Sequence, residues 1–338
     1  MKGSAFMTLR EQYEQMEQNM LSPFATFASE TKGRDHPDKP CDMRTAFQRD
    51  RDRIIHCKSF RRLMHKTQVF LSPEGDHYRT RLTHTLEVCQ IARTVARALR
   101  LNEDLAEAIS LGHDLGHTPF GHAGEAVFNS LCPEGFRHAD QSVRVVEVIE
   151  REGLGLNLTL EVRDGIRCHS SGILAQTPEG KLVRFSDKIA YMNHDIEDAI
   201  RAGVMVEDDV PWEVRHGLGR TKSQRITTLV SSLVKHSDGA NIQLSEAHQR
   251  LYDQLRGFLF ESLYNNSDAK SEEGKAKDVI CRLFEFFMEH PDKLPGEYGR
   301  IRNKEGNMRA VCDYISGMSD RYCVAVYENL FVPRSWSI

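Results

Sequence analysis

Apolar residues recur along most of this sequence with the period of an α-helix, about 3.6 residues. Between residues 82 and 99, for example, the apolar positions are Leu82, Leu86, Val88, Ala92, Val95 and Leu99. Runs in which apolar and polar residues alternate, as they do in a half-buried β-strand, are scarce. The pattern therefore predicts an all-α fold.

Capping residues and loop composition place the predicted elements along the chain. Asn102 is a favourable N-cap, and Glu103 and Asp104 follow it in a first helical turn that favours acids. Further helices are predicted over residues 121–131, 141–150, 158–166, 182–202, 223–235, 245–264, 276–289 and 308–330. Polar stretches that contain glycine or proline predict loops at residues 31–42, 171–180 and 265–275.

The length of 338 residues allows one large domain or a catalytic core with an added lobe. With 40% hydrophobic residues, the chain can bury a substantial core. We divide it into an N-terminal helix and loop (1–43), a catalytic core (44–203) and a C-terminal helical lobe (204–338). The last two could also form one compact domain.

Hydropathy and cysteine usage bear on the compartment. No window reaches 18 apolar residues, so no transmembrane helix and no membrane partner are predicted. The N-terminal stretch MKGSAFMTLREQYEQ lacks the apolar core of a secretory signal, and Met7 is an alternative start to Met1. None of the eight cysteines forms a CxxC pair, so we expect reduced, mostly buried thiols in a cytoplasmic protein.

Charge is unevenly distributed. The net charge is −4, yet between Arg44 and Arg100 there are 13 Lys or Arg and 5 Asp or Glu, a balance of +8. Two interpretations of this basic segment stand, namely solvated helix faces or a field that attracts an anionic ligand.

Inward-facing histidine and aspartate residues mark a candidate metal site. His84 shares a helical face with Val88 and Val95, and His113, followed by Asp114, ends the next apolar stripe. A single buried histidine is usually a satisfied core residue, but burying several such groups is unfavourable unless their charge is compensated. A divalent cation provides that compensation, and imidazole and carboxylate donors suit Zn, Mn, Fe or Ni, with carboxylates also tolerating Mg.

A second polar stripe lies on a later predicted helix. Asp187, Tyr191, Asp195 and Asp198 follow one another at spacings of four, four and three residues, so they share a face. Such a stripe is either a solvated surface or the wall of a polar pocket. Because it begins with a further candidate metal ligand, Asp187, we interpret it as a pocket wall.

The segment 113–125, HDLGHTPFGHAGE, holds three histidines, two carboxylates and three glycines. Glycines there would let the backbone approach a ligand closely. His122 and Glu125 are three residues apart and share a helical turn, an arrangement suited to general acid–base catalysis. The alternative is a helix-capping loop whose histidines are incidental.

Two cations lie beside the candidate ligands in the sequence. Arg81 precedes His84 by three residues, and Lys188 follows Asp187 directly. Either could be an ordinary solvated side chain, or could contact phosphate oxygens. A metal, a base and cations together predict hydrolysis of a phosphate ester.

The scattered order H…HD…D at these residues is similar to the signature of the HD superfamily of metal-dependent phosphohydrolases. Longer strings resemble one family within it, the dGTPase-like deoxynucleoside triphosphate triphosphohydrolases. These strings are RTAFQRDRDRIIHCKSFRRLMHKTQVF, EGDHYRTRLTHTLEVCQIARTVARALRLNEDLAEAISLGHDLGHTPFGHAGE, DKIAYMNHDIEDAI and DYISGMSDRY…YENLF. The resemblance runs from about Ser22 to Phe331, and it implies an all-α HD-domain helical bundle with additional C-terminal helices.

The resemblance also implies roles for individual residues. The ligands of a divalent metal ion (Mn, Mg, Ni, Fe or Zn) would be His84, His113, Asp114 and Asp187. The catalytic residues would be His122, Glu125 and His138, although the sequence around His138 departs from the family pattern at Arg137 and at Ala139-Asp140. The substrate would be bound by Gln68, Arg81, Lys188, Tyr191 and Asp195. Of these, Gln68, Tyr191 and Asp195 would surround the deoxyribose.

The implied reaction is hydrolysis of a dNTP to the deoxynucleoside and tripolyphosphate by attack at the α-phosphorus. The resemblance further implies a homo-oligomer, a hexamer or tetramer, with a dNTP as a possible allosteric effector. Two alternatives are kept. One is another HD-superfamily enzyme, such as a nucleoside monophosphate phosphatase or a cyclic-nucleotide phosphodiesterase. The other is a protein that binds single-stranded nucleic acid through the basic segment, as its main or an accessory activity.

Overall fold

The computed structural model describes residues 7–68, 79–170, 172–262 and 267–333. Within these ranges the regular structure is helical, and the only bridge of β type is an isolated one between Thr67 and Thr80. The all-α prediction is confirmed. The α-helices are α1 (Leu9–Met20), α2 (Ala46–Ile55), α3 (Lys58–Arg62), α4 (Arg81–Leu99), α5 (Glu103–Gly112), α6 (Gly121–Leu131), α7 (His138–Arg144), α8 (Glu150–Gly153), α9 (Leu160–Cys168), α10 (Pro178–Arg201), α11 (Trp212–Gly217), α12 (Lys222–His236), α13 (Glu246–Ser262), α14 (Ser267–Glu289), α15 (Gly299–Glu305), α16 (Asn307–Ser316) and α17 (Asp320–Phe331).

The first hydrophobic core forms where α4 packs against α5 and α10, with α2 and α9 completing the layer. Polar caps fix where these helices start. The side chain of Thr80 accepts a hydrogen bond from the backbone of Thr83 in α4, and Asn102 caps α5 as predicted. The buried face of α4 carries His84 along with its apolar residues. The core therefore brings polar donors of three helices to one place.

A second hydrophobic cluster joins α6 to the C-terminal helices. In this cluster α14 packs against α6, α16 and α17, whereas α12 and α13 belong to the first core. The C-terminal helices therefore help to position α6, the helix that carries His122 and Glu125. The proposed division of the chain into residues 1–43, 44–203 and 204–338 stays a prediction.

Two predicted boundaries are wrong because a local capping signal was overlooked. The predicted loop at 171–180 ends early, since Thr177 caps α10 and Pro178 occupies its first turn. The predicted helix 308–330 is broken into two, since Ser319 caps α17 with its side chain. The start of α17 at Asp320 places a carboxylate that accepts hydrogen bonds from the backbone of Thr67 and of Phe120.

The predicted loop at 265–275 is also wrong over residues 267–275, which form the first part of α14. In its described part, the polar side chains of Glu272 and Lys275 are more than half exposed. Ion pairs Lys275–Glu272 and Lys277–Glu273 lie along the helix, and the second half of the helix packs on α6.

The predicted helix 141–150 starts earlier and is interrupted. It begins at His138, opens into a π turn over Val145–Ile149, and reaches left-handed backbone at Arg151 and Glu152, with φ of 54° and 58°. The buried Glu150 carboxylate accepts hydrogen bonds from the backbone of Lys58 and Ser59 at the start of α3. This cap for a neighbouring helix requires the chain to leave the α-helical path.

All eight cysteines are free thiols, and six of them are buried, as the sequence predicts. No helix in the described ranges combines the length and the apolar character that crossing a bilayer requires.

Candidate metal centre and active site

Four predicted metal ligands come together from three helices. His84 lies in the first turn of α4, His113 and Asp114 at the C-terminal end of α5, and Asp187 in the middle of α10. Nε2 of His84 is 3.2 Å from Oδ1 of Asp187 and 3.9 Å from Oδ2 of Asp114. Nε2 of His113 is 3.4 Å from Oδ1 of Asp114 and 3.8 Å from Oδ1 of Asp187. Neighbouring ligands of one ion, each about 2.1 Å from it, lie roughly 3–4 Å apart, so the four donors could hold a divalent metal.

Hydrogen bonds prepare both imidazoles to bind a cation. Nδ1 of His113 donates to the carbonyl oxygen of Ser110 at 2.6 Å, which leaves the lone pair on Nε2. That Nε2 atom is buried and has no hydrogen-bond partner among the described residues. An unpaired buried acceptor is unfavourable in a folded protein, and a metal ion would satisfy it. The chemistry of the donor set therefore fits the implied group.

His84 is oriented by a chain of polar groups. Its Nδ1 lies 3.3 Å from Nδ1 of His194, whose Nε2 in turn contacts the Glu87 carboxylate. If His84 keeps its Nε2 lone pair for a metal, it donates through Nδ1 to His194, and His194 donates to Glu87. Burial lowers the pKa of His194 to about 4, so His194 is neutral at neutral pH. Neither His194 nor Glu87 was predicted from the sequence.

We expect His194→Ala to weaken metal affinity by about 10–100-fold, because loss of a group that orients a ligand has an effect of this size. Affinity would be measured by competition against a chelating dye. His248→Ala is the matched control, since His248 bonds Ser232 and Ser245 instead of a metal-site residue. Equal affinities in the two variants would contradict the orienting role.

Arg81 is buried against the candidate metal centre. Its guanidinium NH1 donates to Oδ2 of Asp114 at 3.0 Å, and both side chains are less than 5% exposed. Burial alone would raise the pKa of Asp114, but His117, His113 and Arg81 lower it well below its usual value. Asp114 is therefore ionised at neutral pH. Arg81 is an internal cation, and the interpretation of it as a solvated side chain is wrong.

The glycines of the segment 113–125 serve packing more than ligand approach. A Cβ on Gly116 would lie 2.1 Å from the backbone nitrogen of Ser142, and one on Gly124 would lie 2.1 Å from the carbonyl oxygen of Pro119. Ser142 accepts from the backbone of Gly116 and donates to that of His113. Gly116 thus lets α7 approach the metal-site loop, and Gly124 lets α6 pack against residues 118 and 119 of that loop. The expectation that they serve a ligand is corrected for these two.

Glu125 pairs with a histidine outside its own helix. Its carboxylate lies 3.0 Å from Nδ1 of His138 and accepts from the backbone nitrogen of His138 at 2.9 Å. His122, one turn before Glu125, has a solvent-exposed side chain. The surrounding protein nevertheless desolvates its ring, which together with Arg81 lowers the pKa of His122. The charges of Arg81, Asp114, Glu125 and His138 act on this ring, so the three predicted catalytic residues lie close to one another and to the metal centre.

Two further histidines lie in this cluster. His117 has its Nε2 atom 3.1 Å from Oδ1 of Asp114 and stacks on His138 with ring centres 4.0 Å apart. Nε2 of His169 lies 3.2 Å from Nε2 of His138. The sequence analysis gave no role to either. A signal for His169 exists, because it follows Val162 and Ile166 on the buried face of α9.

Lys188 borders a cavity of about 420 Å³ between α10 and α13. The cations of its lining are Lys181, Arg184, Lys188 and Arg256. Burial, with Arg184 and Arg256, lowers the pKa of Lys188. Tyr252 also lines this cavity, and its hydroxyl is buried without a hydrogen-bond partner among the described residues.

The predicted sugar-pocket residues are only partly grouped. Tyr191 is partly exposed one turn after Asp187, whereas Asp195 is 1% exposed and belongs to the buried face of α10. Asp198, the end of the same stripe, pairs with Arg79. The stripe is thus mostly internal. Gln68 contacts Arg81 through its carbonyl oxygen, and residues 69–78, which follow it, lie outside the described ranges.

The basic segment is largely neutralised by ion pairs. Arg44 pairs with Asp52, Arg53 with Asp38, and Arg97 with Glu103. Part of the segment also lines a second cavity of about 460 Å³ near α3. Some residues of the segment therefore fit solvated helix faces, and others fit a field that attracts an anionic ligand.

Comparison with known proteins agrees with the geometry. The HD domain family matches residues 81–192, and the phosphohydrolase-associated domain matches residues 242–329. The deoxyguanosinetriphosphate triphosphohydrolase-like protein of Caldanaerobacter subterraneus subsp. tengcongensis is 56% identical over 331 residues, 98% of each chain. The protein of the same name from Desulfatibacillum aliphaticivorans is 48% identical over 97% of this chain and 99% of its own.

A solved structure of a hypothetical protein from Aquifex aeolicus is 21% identical, covers 84% of this chain and 68% of its own, and has a TM-score of 0.48. The family assignment depends on the two full-length relatives and the HD domain. The chain belongs to the deoxyguanosinetriphosphate triphosphohydrolase-like family and is an HD-domain phosphohydrolase.

Proposed function

We propose that this protein hydrolyses deoxynucleoside triphosphates to the deoxynucleoside and tripolyphosphate, with a divalent metal held by His84, His113, Asp114 and Asp187. The observation that carries the proposal is the convergence of these four donors, from α4, α5 and α10, with contacts of 3.2–3.9 Å. A bound ion would polarise a phosphoryl oxygen and lower the pKa of a water molecule. The names of the full-length relatives support a triphosphate substrate.

The cavity beside Lys188 supports a polyphosphate substrate. Its four cations lie along α10 and α13, and Lys188 adjoins the metal ligand Asp187 in the sequence. Such a row would neutralise the β- and γ-phosphates while the α-phosphate reaches the metal centre. A monophosphate would leave most of these charges without a partner.

In this proposal, His122 is the general base and then the general acid. Its lowered pKa makes it neutral at neutral pH, so its unprotonated ring nitrogen can take a proton from the attacking water. Oxygen from that water forms a bond to the α-phosphorus, and the bond from the phosphorus to O5′ breaks. The imidazolium then protonates O5′, so the deoxynucleoside leaves neutral at this position. Glu125, one turn after His122, pairs with His138.

Recognition of the deoxyribose is assigned to Tyr191, Asp195 and Gln68. Tyr191 lies next along the helical face from Asp187, and burial, together with Asp195 and Asp187, raises the pKa of its hydroxyl. The neutral phenol can therefore bond a sugar hydroxyl and crowd a 2′-hydroxyl. Arg81 acts through Asp114, to which it donates, and contributes positive charge beside the α-phosphate.

The proposal is tested by incubating the metal-loaded protein with each of the four dNTPs, with their mixture and with GTP. Ion-exchange chromatography would resolve the products. We expect a deoxynucleoside and tripolyphosphate, no turnover of GTP, and loss of activity on chelation. Turnover in the mixture alone would indicate activation by a dNTP.

Hydrolysis of nucleoside monophosphates or cyclic nucleotides with no dNTP turnover would overturn the proposal in favour of another HD phosphohydrolase. The homo-oligomer, the allosteric effector and the accessory binding of single-stranded nucleic acid stay predictions.

A further inference from the structure

The buried carboxylate of Asp320 joins two segments of the chain that are remote in sequence. Asp320 lies in the first turn of α17 and is 5% exposed. Its Oδ2 atom accepts hydrogen bonds from the backbone nitrogen of Thr67 at 2.9 Å and from the Thr67 hydroxyl at 2.6 Å. Its Oδ1 atom accepts from the backbone nitrogen of Phe120 at 3.0 Å. Each oxygen of one carboxylate therefore holds a different segment.

Both segments lead directly to residues of the proposed function. Gln68 follows Thr67, and its side-chain Oε1 atom is buried and has no hydrogen-bond partner within the described ranges. A buried acceptor of this kind is available to a hydroxyl group of a ligand. His122 lies two residues after Phe120, in the first turn of α6. Asp320 is thus one residue from the assigned sugar contact and two residues from the assigned general base.

The two segments belong to different hydrophobic cores. Leu63, four residues before Thr67, is part of the first core. Phe128 of α6 and Cys323 of α17 are part of the second cluster. The separation of Gln68 from His122 therefore depends on the bonds that cross from one core to the other.

Lys66 forms a second link at the same place. Its buried ammonium donates to the carbonyl oxygen of His117, in the metal-site loop, and at 3.1 Å to that of Ser316, at the end of α16. Burial lowers the pKa of Lys66, and the nearby Asp320 carboxylate opposes this shift. The ammonium and the carboxylate together fasten the start of α17 to both segments.

The joined segments approach each other closely. A Cβ on Gly121 would lie 3.3 Å from NH2 of Arg81 and 3.6 Å from the carbonyl oxygen of Gln68. Phe120, the N-cap of α6, has a left-handed backbone with φ of 61°. Such a conformation is unfavourable for a bulky residue and persists only where its surroundings hold it. The hydrogen bond from Phe120 to Asp320 is one contact that does so.

We propose that Asp320 is a positioning residue that holds Gln68 and His122 at the separation that one substrate molecule requires. It acts through the backbone of Thr67 and Phe120 and not through a contact with the substrate. The inference rests on the proposed function, in which Gln68 contacts the deoxyribose and His122 transfers the proton. A misplacement of about 1 Å can lower the rate about 10²-fold, so the link should matter for catalysis as well as for the fold.

The test compares Asp320→Asn with the wild type on a dNTP and on the 2′,3′-dideoxynucleoside triphosphate with the same base. Asparagine keeps the size of the side chain, but its NH2 group would face Thr67 or Phe120 in place of an oxygen. We expect kcat on the dNTP to fall by about 10–100-fold. The preference for the dNTP, measured as the ratio of the two kcat/KM values, should fall toward that of Gln68→Ala.

A matched control separates positioning from a loss of stability. Asp50 is likewise a buried carboxylate that accepts from the backbone and the hydroxyl of one threonine, Thr159. Asp50→Asn should lower the melting temperature yet keep the wild-type preference between the two substrates. If circular dichroism shows that Asp320→Asn is unfolded, Thr67→Val takes its place, because it removes one donor to Asp320 and keeps the shape of the side chain. It should shift the preference in the same direction.

The failure of this inference is distinguishable from that of the proposed function. Wild-type kcat and preference in folded Asp320→Asn, or in Thr67→Val where it is the substitute, overturn the positioning role and leave the proposed function intact. An equal loss of preference in Asp50→Asn does the same. An absence of dNTP turnover by the wild-type chain overturns the proposed function and this inference with it.

Discussion

Replacing His122 by alanine is expected to lower kcat by about 10²–10⁴-fold, the usual contribution of general acid–base catalysis. Its ring lies near Arg81 and Asp114 of the candidate metal centre, and its pKa is lowered by desolvation and by Arg81. It is not among the four proposed metal ligands, so metal content should stay at the wild-type level. Since the proton transfer occurs in the transition state, kcat and kcat/KM should fall together.

Steady-state kinetics on the preferred dNTP, with metal analysis of the same preparations, would measure these effects. His290→Ala is a suitable control, because His290 follows α14 and its ring bonds the carbonyl oxygen of Phe286. If His122→Ala lost the metal as well as activity, its role would be structural. If it kept wild-type kcat, proton transfer would have to be assigned elsewhere.

Asp313→Ala should destabilise the fold by about 3–5 kcal/mol, the effect of removing one partner of a buried ion pair. Asp313 is fully buried in α16. It accepts hydrogen bonds from Arg144 at 2.7 and 2.9 Å, from Arg309 at 2.7 Å and from Gln141 at 3.0 Å. Arg144 and Gln141 lie on α7, so this network joins the C-terminal helices to the helix that begins at His138.

Urea denaturation followed by circular dichroism and by fluorescence would measure the change, and agreement of the two probes would support a two-state treatment. Glu246→Ala is the matched control, since its exposed pair with Arg250 is worth less than about 1 kcal/mol. An unfolding free energy of Asp313→Ala equal to that of the control would show that the network contributes little.

The same network bears on the metal centre. Ser142, which follows Gln141, bonds the backbone of Gly116 and of His113. A looser α7 would therefore loosen the loop that carries the metal ligands. We expect lower metal affinity to accompany the loss of stability in Asp313→Ala.

Those parts of the fold that depend on local signals could be predicted from the sequence. The cap at Asn102 and the apolar stripes of α4 and α5 gave correct helices, and the inward face of α4 correctly includes His84. The cap at Ser319 was a local signal that was overlooked, whereas the contacts made by the next residue could not be predicted from the sequence. Asp320 bonds Thr67 and Phe120, which are far away in the sequence.

The candidate site shows the same limit. The four metal-ligand candidates follow from stripes on single helices and from the family resemblance. The pairing of Glu125 with His138, and that of His84 with His194, arises only when helices pack. Sequence spacing had placed Glu125 beside His122, one turn away. Spacing within one helix does not predict which residue of another helix will form a hydrogen bond with a carboxylate.

The central claim is that water attacks the α-phosphorus of a dNTP, and hydrolysis in ¹⁸O-labelled water tests it most directly. Products would be separated and weighed by mass spectrometry. The proposed reaction places one ¹⁸O atom in tripolyphosphate and none in the deoxynucleoside. Labelled orthophosphate or pyrophosphate, released together with a deoxynucleotide, would show attack at another phosphorus and contradict the claim.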